Sequence, residues 1–139
     1  MKRLNVFLIG LLVFLGSFGV LAKEENKASD DSLRQISQQL VTAKLKATPA
    51  IVEQLEVGGE RAVSLFEALI EGDLYYRKED KLIVIANKQD AGDYRLIDSL
   101  TAEFIANSDK KSIKKIRVNN SIRTQLRDMI ARVTLASSD

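Results

Sequence analysis

The spacing of apolar residues changes at Gly72, and that change limits the fold more than any other feature of the chain. Before it, Ala62, Val63, Leu65, Phe66, Leu69 and Ile70 recur at helical spacing and cover nearly half a helix surface. After it come Leu74-Tyr75-Tyr76-Arg77, Leu82-Ile83-Val84-Ile85-Ala86 and Tyr94-Arg95-Leu96-Ile97, short runs rich in β-branched and aromatic residues. Polar turns, Lys78–Lys81 and Asn87–Asp93, separate them. Helices followed by strands, with no strand–helix alternation, indicate an α+β fold. The expected architecture is N-terminal helices, a small antiparallel three-stranded meander and a C-terminal amphipathic helix.

Local signals refine this outline. Ser32 is expected to cap a first helix carrying Leu33, Ile36, Leu40 and Val41. Thr48 is expected to cap a second, with Pro49 in its first turn and Gly58-Gly59 as its stop. The third should run from about Glu60 to Glu71 and end on Gly72. Residues 98–109 and the run Lys110 to Val118 are ambiguous between helix, strand and loop. Asn119 or Asn120 should cap a last helix whose narrow stripe is Ile122, Leu126, Met129, Ile130 and Val133.

The first residues read as an export signal. Lys2 and Arg3 precede an apolar run from Val6 to Leu15 broken only by Gly10, and Val20-Leu21-Ala22 supplies a cleavage site. The rival reading is a retained membrane anchor. From Val6 to Ala22 there are 17 residues, short of the roughly 20 a span needs. The expected organisation is a signal peptide over 1–22, a flexible polar lead-in over 23–31 and a single extracytoplasmic domain over 32–139. Its place is the periplasm or the outer face of the cytoplasmic membrane.

Composition then removes whole classes of chemistry. The 139 residues contain no histidine and no cysteine, so no thiol nucleophile, disulfide, Cys/His zinc site or histidine base is available from them. The 21 Lys and Arg against 19 Asp and Glu are unevenly placed. Residues 23–108 carry 11 positive and 16 negative charges, whereas residues 109–139 carry 8 positive and 3 negative. For an exported chain, that basic tail suits an acidic protein face, anionic headgroups or its own acidic half better than nucleic acid.

Three constellations could carry function. Glu53, Glu56, Glu60, Glu67 and Glu71 could pair for acid/base work, but carboxylates on a helix's outer face are the ordinary outcome. Asn87, Asp90 and Asp93 offer oxygen ligands, yet their spacing does not match an EF-hand and a hairpin turn uses the same residues. No catalytic residue, metal site or cofactor is therefore expected. The basic run is the third and largest feature. The candidate partner-binding residues are Tyr75, Tyr76, Arg77, Lys78, Lys114, Lys115, Arg117, Arg123 and Arg127. Alternation along the strand should bury one of the two adjacent tyrosines.

Several short blocks in order add a resemblance. Gly72-Asp73-Leu74-Tyr75-Tyr76-Arg77-Lys78, Ile83-Val84-Ile85-Ala86, Tyr94-Arg95-Leu96-Ile97-Asp98-Ser99-Leu100-Thr101 and Ile116-Arg117-Val118-Asn119-Asn120 resemble the N-terminal extracytoplasmic domain of the urea ABC transporter permease. That is the B subunit of the branched-chain amino acid permease type. The likeness covers half to two-thirds of the chain after the leader. In that family further helical repeats and a many-span permease follow, and no second span-length apolar stretch occurs here. The resemblance implies a truncated or free-standing relative of the domain, set in urea uptake, docking to the urea-binding protein or permease components without catalysis. The alternative is a stand-alone envelope structural or interaction protein unrelated to transport.

Overall fold

The computed structural model describes residues 30–137. The expected signal over 1–22 and nearly all of the lead-in over 23–31 lie outside the described residues. The compact unit begins at Leu33.

Helix α1 occupies residues 30–38 and tightens into a 3-10 turn, Gln39–Val41. Ser32 therefore sits inside a helix and does not cap one. Helix α2, Thr48–Leu55, has Ala47 at its cap position and Pro49 in its first turn. The Thr48 hydroxyl donates backwards to the Lys44 carbonyl at 3.2 Å, so the expected cap is replaced by a bond to the preceding turn. A 3-10 segment, Glu56–Ala62, follows, broken at Gly59, whose φ of 56° and ψ of −132° exclude a helix. Helix α3 consequently begins at Val63, later than Glu60, and runs to Glu71. Gly72 ends it in the left-handed region at φ 79°.

The sheet has five strands, not the three expected. They are β1 (Leu74–Arg77), β2 (Ile83–Lys88), β3 (Tyr94–Asp98), β4 (Phe104–Ser108) and β5 (Ile113–Lys115), in the order β4-β3-β2-β1-β5. All pairs are antiparallel. The two additional strands are the sheet's edges. β5 is three residues long, too short for any period to register, and β4 carries a register shift opposite Leu96 and Ile97 that spoils its alternation. Both become strands through pairing with β1 and β3, a tertiary effect that outweighs local pattern.

The sheet is rolled. Four interstrand spacings of about 4.8 Å would hold flat edges roughly 19 Å apart. The chain passes from Ser108 at one edge to Ile113 at the other through Asp109 and a 3-10 turn, Lys110–Ser112. At about 2 Å per 3-10 residue that link reaches roughly 13 Å. Packing agrees with the roll: Ile113 of β5 shares one buried cluster with Leu96 of β3 and with Val84 and Ala86 of β2.

Two cores result. The inner face of the roll holds Val84, Ala86, Leu96 and Ile113, with Tyr75, Leu82, Tyr94 and Ile105 packed around them. The outer face of β1 and β2 lays Leu74 and Ile83 against Leu55, Leu65, Phe66 and Leu69 of α2 and α3, and against Ile122, Leu126 and Met129 of helix α4 (Asn120–Ser137). Asn119 caps α4, its side-chain oxygen accepting from the Ile122 N–H at 2.9 Å. Alternation does not bury one tyrosine and expose the other as expected: both faces of β1 are packed, and both rings are partly buried, Tyr76 against the helical core and Tyr75 against the inner one.

Candidate functional site

The start of β1, the start of β3, the 3-10 turn before β5 and the segment from β5 to α4 converge on one open cleft of about 700 Å³. Backbone alternation turns Tyr75 to the inner face, and pairing with Lys115 sets that ammonium 5.6 Å from the Tyr75 ring centre. On its other side Tyr75 meets Tyr94, the ring centres 5.6 Å apart and tilted by 49°. Burial first, then hydrogen bonding with Tyr94 and the charge of Asp73, push the Tyr75 hydroxyl up to about 12. It therefore stays a neutral donor throughout ordinary pH.

Lysine and arginine dominate the rim. Lys110, Lys114, Lys115, Arg117 and Arg123 line the cleft against one carboxylate, Glu71. Arg123 is held in place, donating from Nε to the Ile70 carbonyl at 3.3 Å and from Nη1 to Asn120 Oδ1 at 3.1 Å. The other four make no ion pair among the described residues. The charge pairs seen lie elsewhere: Arg34 with Asp98, Arg77 with Asp80, and Arg132 with Glu56. Among the described residues, no ion pair joins these four cations to the acidic half of the chain.

Of the nine candidate residues, the cleft gathers Tyr75, Lys114, Lys115, Arg117 and Arg123. Tyr76 faces the opposite way, with the Lys81 ammonium 5.4 Å from its ring centre. It lines a smaller cleft, of about 310 Å³, that shares Lys114, Lys115 and Arg117. Arg77 and Lys78 border a third concavity beside Asp109, Lys111 and Ser112. Arg77 is drawn to Asp80, whose carboxyl its guanidinium holds below the ordinary value. Arg127 is exposed on α4 and lines none of these clefts.

Tyr94 and Lys110 are among the cleft residues outside the nine candidates. Tyr94 read only as a strand residue; the roll of the sheet, which no local pattern encodes, brings it against Tyr75. Lys110 belonged to the basic run, and its place at the cleft depends on the 3-10 turn that Asp109 caps, its carboxylate accepting from the Ser112 N–H at 2.9 Å.

The blocks that carry the family resemblance have local structural duties. Gly72 is the left-handed stop of α3 and Asn119 the cap of α4. Asp98 Oδ1 accepts from the N–H groups of Leu100 and Thr101, both at 2.9 Å, and closes the β3–β4 turn. The polar loop after β2 is likewise a turn: Gln89 N–H donates to the Asp93 carbonyl at 2.8 Å, and Gly92 takes φ 95°. Among the described residues, no three acidic side chains cluster closely enough to hold a metal ion, and no helix is long and apolar enough to cross a membrane. Glu53, Glu60, Glu67 and Glu71 are exposed, and Glu56 is spent on Arg132. Comparison with protein-family models, with curated proteins and with solved structures finds no match for this chain.

Proposed function

We propose that this chain is an exported, non-enzymatic docking domain of a urea-uptake assembly, engaging the urea-binding protein or a permease component. The observation that carries docking is the cleft: unpaired cations and a half-buried tyrosine pair gathered in one concavity from four separate segments. Arginine, lysine and tyrosine in such an arrangement suit recognition of a charged macromolecular face. The leader supports export, and the ordered sequence blocks support the urea context. The test is titration of the purified exported chain with the urea-binding protein of the same organism. Association at micromolar concentration that weakens steeply with salt is expected; no association at any ionic strength would refute the urea context.

One observation favours a second reading, an envelope interaction protein unrelated to transport. Several residues of the resembling blocks, Gly72, Asp98, Thr101 and Asn119, serve turns and caps that many unrelated folds need. A gene neighbourhood without urea-transport components would support this alternative.

A further inference from the structure

We propose that the cleft beside Tyr75 and Tyr94 is a receptor for an acidic polypeptide segment, whose carboxylates settle on Lys110, Lys115 and Arg117. The proposal rests on the docking reading above and gives it a site and a ligand chemistry.

Charge complementarity is the first argument. Four cations without ion pairs face one carboxylate across a concave surface with low-dielectric walls, an arrangement that focuses positive potential. Lys and Arg in this setting suit carboxylates brought by a partner, because among the described residues Glu71 is the one carboxylate that lines the cleft with them. Tyr75 and Tyr94, packed on each other in the cleft lining, add polar hydroxyl groups at little entropic cost.

Shape and placement argue against a bilayer. A flat anionic surface does not enter a recess, and Glu71 at the rim would face its headgroups. Surface-bound domains also insert apolar anchors. Of the exposed large apolar residues, Val57, Phe104 and Leu135 line no part of this cleft, and Leu45 lines the neighbouring cleft that shares Lys115 and Arg117, a single apolar residue where a bilayer anchor needs an apolar face. Nucleic acid is disfavoured too. Binding of bases needs open aromatic faces, and here Lys115 lies over the Tyr75 ring while Tyr94 packs beside it.

The chain purified as exported is titrated with a fluorescein-labelled polyglutamate peptide, and anisotropy is read at low and physiological salt. Parallel titrations use phosphatidylglycerol vesicles and oligo-thymidylate. Saturable peptide binding is expected, weakened by about tenfold or more in the Lys115→Glu/Arg117→Glu double variant. Arg127→Glu, on exposed α4, should change it by less than about twofold. Lys115→Met/Arg117→Met repeats the loss without reversing charge, and thermal melts confirm folding of each variant. Failure of the peptide to bind, equal binding by the double variants, or tighter binding to vesicles or oligonucleotide overturns the proposal. The same variants are titrated with the urea-binding protein. If that protein binds wild type and double variants alike, docking stands and this cleft falls. If polyglutamate binds at the cleft but the urea-binding protein does not bind, the cleft stands and the urea assignment falls.

Discussion

Arg34 and Asp98, 64 residues apart in sequence, are joined by a two-pronged ion pair, Nη1 to Oδ2 at 2.8 Å and Nη2 to Oδ1 at 3.1 Å. The same Asp98 carboxylate closes the β3–β4 turn through the N–H groups of Leu100 and Thr101. One side chain therefore fixes a hairpin and ties that hairpin to α1.

Removing it should cost more than removing its partner. Asp98→Ala removes the acceptor of two turn N–H groups and one partner of Arg34, a loss of about 2–3 kcal/mol. Arg34→Ala, at a position that is part-exposed, should cost about 1 kcal/mol. The pair also makes stability depend on pH. Burial pushes the Asp98 carboxyl up, but the Arg34 guanidinium and the Thr101 and Leu100 N–H groups outweigh it and hold the carboxyl below its ordinary value. The folded state thus binds this proton less tightly than the unfolded chain. Its stabilisation is complete above about pH 4 and is lost as pH falls through the lower folded value. Urea unfolding at descending pH should show a smaller acid-induced drop for Asp98→Asn than for wild type; equal drops would contradict the assignment.

Tyr75 supplies the opposite sign. Its hydroxyl is pushed up to about 12, chiefly by burial, so the folded state holds that proton more tightly than the unfolded chain. The associated stability is full below about pH 10 and falls as pH rises from there towards 12. Absorbance of the phenolate in an alkaline titration should show one of the three tyrosines ionising late. Tyr75→Phe should delete that late component, whereas its survival would assign the shift to a different ring.

Two glycines should respond to alanine for different reasons. At Gly58 a methyl group would come within 2.6 Å of Leu33 Cδ2, and Leu33 is itself 1% exposed. Gly58→Ala must therefore displace the buried Leu33 side chain from its packing against the 3-10 segment, costing about 1–3 kcal/mol. At Gly72 there is room, with the nearest atom, Lys115 Nζ, at 3.5 Å. The cost there is backbone strain at φ 79°, about 1–2 kcal/mol. Chemical denaturation should place both variants below wild type. Rescue of Gly58→Ala by Leu33→Val, but no rescue of Gly72→Ala, would separate the two mechanisms.

What could be read from the sequence follows a physical division. The helix stop at Gly72, a cap at one of the two asparagines before α4 and the central strands β1 to β3 are decided within a few residues of themselves, and local chemistry announced them; α2 instead ends at Leu55, ahead of the expected stop at Gly58-Gly59, which breaks the 3-10 segment that follows. The edge strands were not announced, because Phe104–Ser108 and Ile113–Lys115 owe their form to partners 7 to about 40 residues away, Leu96 and Tyr76 among them. The cleft divides the same way. Its cations were visible as a run, but Tyr94 joined them only because the sheet rolls. Thr48 misled in the other direction: a residue suited to capping was instead used to bond the preceding turn.

That roll makes Ile113 the test of the architecture. It stands on the shortest strand, between two exposed lysine-bearing segments, yet is 3% exposed and packs with Leu96 and Val84. A flat sheet would place β5 three strands away from β3, and Ile113 could not reach Leu96. In the rolled sheet Ile113→Ala opens a cavity in the inner core and should cost about 2–4 kcal/mol. Phe104 on the opposite edge is larger but 54% exposed, resting against Arg95, with the guanidinium carbon 5.1 Å from its ring centre. Phe104→Ala should cost less than about 1.5 kcal/mol despite deleting more atoms. Urea unfolding of the two variants reads the order directly. A larger loss at Phe104 than at Ile113 would mean that the two edges do not close on a shared interior, and the cleft between Tyr75 and Tyr94 would lose its floor.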